Sequence, residues 1–552
     1  MKEKICFDKF GVMIDCSRNA VMNVSAFKKM ADILSSLGYN TIRLYTEDTY
    51  EVDGEPYFGY LRGRYSKAEL REMDAYAAER GVELIPCIQT LAHLGAIFRY
   101  AEYGQIKDID DILFVGEERT YKLIEHMFFS LSQCFSSRSV HIGMDEAFML
   151  GRGKYLEKNG LEDRALIIKK HLDRVLEIAE RYGFKCEIWG DMYMHSAYGG
   201  VYEHTKDDAE RVAKLVPQNL KLCYWDYYHT EAAHYEECIE KHRRLTKNVS
   251  FAGGAWTWTG FCPNNRYSLR ITEAAVRACR NKGVGEVYFT MWGDNGGECS
   301  PFGVLPTLVA AAEFAKGNFD MQSIREIFRE KIGMEYDLFC ALEAPDTVYA
   351  ESAAQPDCDD PSKVMLFTDP FCGIFDARVR EGAAPGYYRK TSELLKQGEK
   401  NGEWGYLFKS LRALCDVLEV KFDLGVKTRK AYKANDRSAL KRLAEADYAE
   451  LLNRLDIFYD AFEEFWTTEK KPFGFEVQDI RLGGVKQRVA HCKRRLENYL
   501  AGKEERIPEL EEEILQPLGM SGDGIGYNYY GVLPTANNIC LLYTSDAADD
   551  LI

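Results

Sequence analysis

The chain lacks the marks of several protein classes. Its 552 residues carry 71 Lys and Arg against 87 Asp and Glu, a formal net charge of −16. The missing basic excess argues against a nucleic-acid backbone or an anionic membrane surface as partner. No window is apolar for long enough to span a bilayer, and residues 1–10 hold no apolar signal core. The sixteen cysteines are scattered singly, with no Cys-x-x-Cys pair and no zinc-like spacing of Cys and His. Cys16, Cys87, Cys186 and Cys223 fall in apolar strand-like runs, where a reduced thiol behaves as a small hydrophobe. A cytoplasmic, reducing location is therefore expected, with no metal and no other cofactor.

What is present is ordinary for a soluble globular protein: 46% apolar and 29% charged residues. The length is too great for one ordinary domain. Short apolar runs at 10–16, 41–45, 82–88, 139–144, 185–189, 220–225, 249–255 and 285–292 predict strands. Helical periodicity predicts helices at 27–37, 67–80, 119–134, 164–182, 206–215, 268–281 and 305–316, the first two stopped by Gly38 and Gly81. A doubly wound open sheet usually has fewer strands and a glycine-rich phosphate turn after the first; no such turn is present. The expected class is α/β, a (β/α)8 TIM barrel over 1–320.

Beyond it, 321–332, 387–396, 404–434, 438–468 and 477–501 predict long helices charged on one face. They form an all-α C-terminal domain over 321–510 that packs on the barrel or serves self-association as a homodimer, and carries no chemistry. Residues 356–385, rich in Asp, Pro and Gly, predict a loop. Residues 511–552 form an irregular tail: 519–530 is glycine-rich, and 541–549 resembles translated adapter sequence and is left out of the fold.

The chain is organised around Ser139-Val140-His141-Ile142-Gly143-Met144-Asp145-Glu146-Ala147, a short strand ending in two adjacent carboxylates that repel each other. Alone, such a pair is most simply a polar turn. In a barrel, however, catalysis sits at the C-terminal ends of the strands. Those ends supply Arg18, Glu47 and Asp48, His93, Asp145 and Glu146, Trp189 and Asp191, Tyr224 and Asp226, Trp256 and Trp258, and Trp292 and Asp294. Each has a bland reading: Trp189 and Trp292 as core aromatics, Tyr224 as packing, His93 as a satisfied loop histidine, Arg18 as a partner of Asp15. Jointly, carboxylates, one arginine and several tryptophans suit a neutral polyhydroxylated ring. Too few cations converge for a phosphate, and no clustered histidines for a metal.

His141-Ile142-Gly143-Met144-Asp145-Glu146 resembles the His-x-Gly-Gly-Asp-Glu signature of glycoside hydrolase family 20, the β-N-acetylhexosaminidases. Over about residues 8–320, Asp15-Cys16-Ser17-Arg18 resembles the family's Asp-x-x-Arg, Tyr224-Trp225-Asp226 its Tyr-x-Asp, and Trp292-Gly293-Asp294 its Trp-x-Glu. The resemblance implies that Arg18 grips O3 and O4 of the terminal sugar, that Asp48 and His93 support the acid, and that Trp189, Trp258 and Trp292 wall the pocket. It places Asp226 and Asp294 on the substrate, Asp294 at O4 and O6. Met144 replaces the second glycine, expected to be tolerable within a strand, and Asp294 replaces a glutamate. With strand one beginning near residue 10, the small α+β domain that often precedes the barrel is expected to be missing, an arrangement similar to a compact bacterial subgroup.

The mechanism so implied is substrate-assisted and retaining, an exception to the two-carboxylate rule. The 2-acetamido oxygen attacks the anomeric carbon, Glu146 is acid and then base, Asp145 orients the acetamido N–H, and Tyr224 binds its oxygen. The expected partner is an N-acetylhexosamine-terminated glycan, with terminal GlcNAc or GalNAc removed. Two alternatives stay open: a two-carboxylate glycosidase on plain sugars, pairing Glu146 with Asp191 or Asp226, and a silent carbohydrate-binding barrel.

Overall fold

The structure, a computed structural model, describes residues 4–202, 204–349, 359–519, 524–527 and 529–537; the adapter-like stretch 541–549 lies outside them. Eight parallel strands close in sequence order into a barrel. They are β1 Lys9–Asp15, β2 Thr41–Tyr45, β3 Glu83–Cys87, β4 Ser139–His141, β5 Lys185–Trp189, β6 Lys221–Trp225, β7 Val249–Gly254 and β8 Glu286–Met291. They read as near-continuous apolar runs because both faces are covered, one by the lumen and one by helices. Helix ends follow local chemistry. The Asn23 side chain accepts from Ala26 N–H to start Val24–Leu37, which Gly38 ends at φ 98°. Ser66 and Glu69 form a capping box on Lys67–Ala78.

The lumen is layered. Near its floor the fully buried Arg43 guanidinium bonds Glu187 at 3.0 Å and also Glu286, to which Lys221 pairs. Above them Met13, Tyr45, Cys87, Trp189, Cys223, Ala252 and Tyr288 fill the cross-section, with Trp225 and Trp292 packed on top.

Two barrel helices of eight or more residues escaped the sequence reading. Asp191–Tyr198 follows β5 directly, and Ala232–Arg243 crosses from β6 to β7. The first is apolar nearly all round and the second starts without a side-chain cap, so neither carried a start signal or a clear stripe. The expected 206–215 helix shrinks to Ala209–Ala213.

Helix Leu305–Lys316 is buried at every position except Lys316, so it must be covered on both sides. The C-terminal helical domain does this. Its expected helices are found with different joints. Residues 404–434 divide into Gly405–Lys421 and Leu424–Lys433, where the buried Asp423 turns away to accept from Gly382 N–H at 2.9 Å. Residues 438–468 contain a π-helical turn at Leu443–Asp447 before Tyr448–Glu469. The stretch expected as loop holds a buried helix, Pro361–Phe367. The described residues of the tail are docked: Ile525 and Leu533 are buried, and Tyr530 packs edge-on against Phe367.

The domain also reaches the first barrel loop. Met22 and Lys470 form an antiparallel bridge, flanked by Asn23 N–H to Glu469 O and Lys471 N–H to Val21 O, both at 2.8 Å. Among the described residues no helix is long and apolar enough to cross a membrane.

Candidate active site

The backbone just past β4 is wound against the preference of its residues. Gly143, Met144 and Glu146 have φ of 71°, 71° and 52°, and His93 and Glu47 nearby have 57° and 41°. Non-glycine residues hold the left-handed region at about 1–3 kcal/mol each, and only where surroundings impose it. Met144 thus lies beyond the strand, not within it: the glycine of the family signature would sit there unstrained. Gln89, two residues past β3, imposes the shape. Its carbonyl accepts from Met144 N–H at 3.1 Å and its amide donates to Asp145 Oδ1 at 2.7 Å. A Cβ on Gly143 would run into that side chain. The Asp191 carboxylate secures the next residue, accepting from Glu146 N–H at 2.9 Å.

His93 stands between the two acids, its Nε2 3.3 Å from Asp145 Oδ2 and 3.7 Å from Glu146 Oε2. Asp111 backs it, accepting from His93 N–H at 2.8 Å and lying 3.9 Å from Nδ1. Burial pushes the Asp145 carboxyl up, but the charge and hydrogen bond of His93, with the Gln89 amide, outweigh it and hold the group below its ordinary range. Asp191 moves the other way: burial, and then the Asp145 charge, push it up to about 7. The carboxyls of one site are thereby separated into an ionised group and one near neutrality, the pattern that divides acid–base labour.

That shift sets a pH dependence. The fold binds the Asp191 proton more tightly than the unfolded chain, whose value is about 3.9. This contribution is complete below about pH 4 and lost as pH rises to about 7. Asp191→Asn keeps the acceptor for Glu146 N–H and abolishes the titration. Its thermal midpoint should gain on wild type from pH 5 to about pH 7 and level off by pH 8; a difference constant from pH 5 to pH 7 would contradict the assignment.

A cavity of about 750 Å³ opens over these acids, within the usual range for small-ligand pockets. Of the residues expected from sequence, Arg18, His93, Asp145, Glu146, Trp189, Trp258, Trp292 and Asp294 line it. The Arg18 guanidinium lies 3.6 Å from Glu47 Oε1, and Asp15 accepts from the Ser17 N–H and O–H and from Gly293 N–H. Trp292 meets Tyr45 edge-on at 4.8 Å and Trp189 at 6.0 Å, and Trp258 stacks on Trp256 at 4.5 Å. Aromatic walls over a carboxylate floor present one apolar and one polar surface, as a pyranose ring requires.

Three residues to which the resemblance gave a role are not on the cavity, nor are Glu47 and Trp256 from the strand ends. Tyr224 faces outward, because lumen positions on β6 are Cys223 and Trp225. It is fully buried against Phe251 and His242, and its hydroxyl donates to Asp226 at 2.7 Å. Asp226 also accepts from Tyr228 N–H at 3.0 Å and bonds the His229 ring, donors that pull its carboxyl down to about 2. It pins the β6 loop. Asp48, 1% exposed, is taken by Arg62 at 2.9 Å; Asp111 has the place beside His93 that the resemblance gave to Asp48. The phenols that do line the pocket belong to Tyr45, Tyr202, Tyr227 and Tyr228.

Among the described residues, two clusters bring metal-ligand types together outside the pocket lining. His141, Glu187 and Cys223 lie beside the Arg43 guanidinium, whose charge opposes a cation. In Asp226, His229 and His234 the two imidazoles stack face to face at 3.5 Å, 11° apart, so their nitrogens point along parallel planes and not at one centre. Neither donor set suits a metal.

Fold and site together define a barrel-type glycoside hydrolase. Residues 7–245 match the family model "Glycosyl hydrolase family 20, catalytic domain", and residues 337–524 match "Glycoside Hydrolase 20C C-terminal domain". The chain belongs to glycoside hydrolase family 20. It is 23% identical over 252 residues to a Bos taurus protein called "Hexosaminidase D" (44% of this chain, 68% of the relative). To the Homo sapiens "Hexosaminidase D" it is 21% identical over 239 residues (41% and 47%). It thus spans about half to two thirds of these relatives' own length. Among solved structures, the GH20 exo-β-N-acetylglucosaminidase of Vibrio harveyi is similar at TM-score 0.46 and 15% identity, covering 59% of this chain and 58% of that one.

Proposed function

We propose that the chain is an exo-acting β-N-acetylhexosaminidase that releases terminal non-reducing GlcNAc or GalNAc with retention, the substrate's acetamido group serving as nucleophile. The observation carrying this reading is the pair Asp145 and Glu146 around His93 Nε2, with Asp145 kept ionised and its Oδ1 fixed by Gln89. An ionised carboxylate with one oxygen held in place is suited to accept the acetamido N–H and stabilise charge developing on that nitrogen.

Glu146 protonates the leaving oxygen, then takes the proton of the incoming water as the cyclised intermediate opens. Arg18 and Asp294 take ring hydroxyls, and Trp189, Trp258 and Trp292 cover the apolar faces. With Tyr224 turned away, the acetamido oxygen falls to one of the phenols lining the cavity. The fourteen described cysteines are all free thiols, which supports a reducing, cytoplasmic place of work.

Matched aryl β-glycosides of GlcNAc, GalNAc, glucose and galactose test this, together with the N-fluoroacetyl series. Hydrolysis should require the acetamido group and slow steeply with each fluorine, which drains the attacking oxygen. Equal rates on glucoside and GlcNAc substrates, or a 2-fluoro sugar trapped on Asp191, would establish the two-carboxylate reading. No hydrolysis of any of them would leave a binding barrel.

A further inference from the structure

The loop after β8 carries two pocket residues, Trp292 and Asp294, yet most of its shape is fixed from outside the barrel. Anchors from the barrel include Asp15, which accepts from Gly293 N–H at 2.9 Å, and Thr257, which donates to Trp292 O at 2.7 Å. From Asn295 onward the C-terminal domain supplies a set of buried partners. One arm of the Arg481 guanidinium donates to Asn295 O and Glu298 Oε1, both at 2.8 Å, and the other to Asn295 Oδ1 at 2.9 Å. Lys363 Nζ closes on the other Glu298 oxygen at 2.7 Å. Lys470 Nζ donates to Gly297 O, and Ser300 donates to Glu469 at 2.6 Å.

This is a buried charge network: Arg481, Glu298 and Lys363 are 6%, 4% and 1% exposed. Buried ion pairs add little net stability over apolar substitutes, so their value lies in fixing one geometry. The geometry is unusual, since Gly296 has φ 121° and a Cβ there would meet Arg481 and Gln478. An arginine fork that grips a backbone carbonyl and the side chain of the same residue, Asn295, leaves little freedom to its neighbour Asp294.

We propose that Arg481, held by Glu298 and Lys363, is a positioning residue for Asp294, through which the C-terminal domain sets how the pocket reads the terminal sugar. The inference rests on the reading in which Asp294 contacts sugar hydroxyls. Without the fork the loop spends less time in the binding geometry, and apparent affinity falls by that fraction while chemistry at Asp145 and Glu146 does not.

The test is a double-mutant cycle in the full chain, with Arg481→Met, Asp294→Asn and their combination on aryl GlcNAc and GalNAc substrates. Arg481→Met should raise KM about tenfold with kcat changed less than about threefold, shift the GlcNAc-to-GalNAc ratio, and be partly rescued by Arg481→Lys. In the Asp294→Asn background it should add almost nothing to KM. If Arg481→Met leaves Glu298 too exposed to fold around, Arg481→Met with Glu298→Gln removes both charges and is read in the same cycle. A KM effect of equal size in both backgrounds, or a lowered thermal midpoint with KM unmoved, would overturn the proposal. Wild type inactive on every acetamido sugar would instead overturn the proposed function.

Discussion

Glu146→Gln should lower kcat/KM on a GlcNAc-terminated oligosaccharide by roughly 10²–10⁴-fold, while a dinitrophenyl glycoside loses less than about tenfold. A sugar hydroxyl leaves poorly without a proton, whereas an acidic phenol needs little help. The substitution is close to isosteric, so the approach to His93 Nε2 and the hydrogen bond from residue 146 N–H to Asp191 survive and the loss reports proton transfer. Comparable losses on both substrates would move the acid role elsewhere, and Asp191, with its carboxyl near 7, would be the first residue to examine.

Asp145→Asn should lower kcat by about 10²–10³-fold and change affinity for free GlcNAc far less. Gln89 donates to Asp145 Oδ1. An asparagine that keeps this bond turns its own NH2 toward the substrate N–H, donor against donor, and removes the charge opposite the nitrogen that becomes positive. A stable thiazoline mimic of the cyclised intermediate, bound much more tightly than GlcNAc by wild type, should lose most of that advantage in the variant. A variant with wild-type kcat and only a raised KM would show that Asp145 binds the sugar without assisting cyclisation.

The barrel was legible because its strands are covered on both sides and come out as bare apolar runs, each ending at the mouth. Asp145, Glu146 and Trp189 could be placed from position alone. Tyr224 could not, since one residue of register separates lumen from helix layer, and only the pairing of β6 with its neighbours settles which parity faces in. Asp48 and Asp111 show a second limit. Both are loop acids, but only Asp111 reaches His93, and it lies in an irregular segment where no periodicity ties position to direction. Gln89 carried a usable signal, its place two residues beyond β3, though neutral amides are seldom picked out at strand ends. Arg481 had none: it lies on the long helix Phe475–Leu500 and contacts a loop nearly two hundred positions earlier.

The seam between the first barrel loop and the end of helix Tyr448–Glu469 ties the chain's completion to its own synthesis. Asn23 Nδ2 donates to Thr468 O across 445 positions. At roughly 5–20 residues per second, translation from Lys316 to Glu469 occupies about 8–30 s. Through that interval all eight strands are already made, but the segment around Met22 has no strand partner and the Trp292–Asp294 loop lacks its clamp. The barrel mouth therefore cannot be completed until these C-terminal residues have been made. Translation that stops before Lys470 and Arg481 should yield a chaperone client, not a small enzyme.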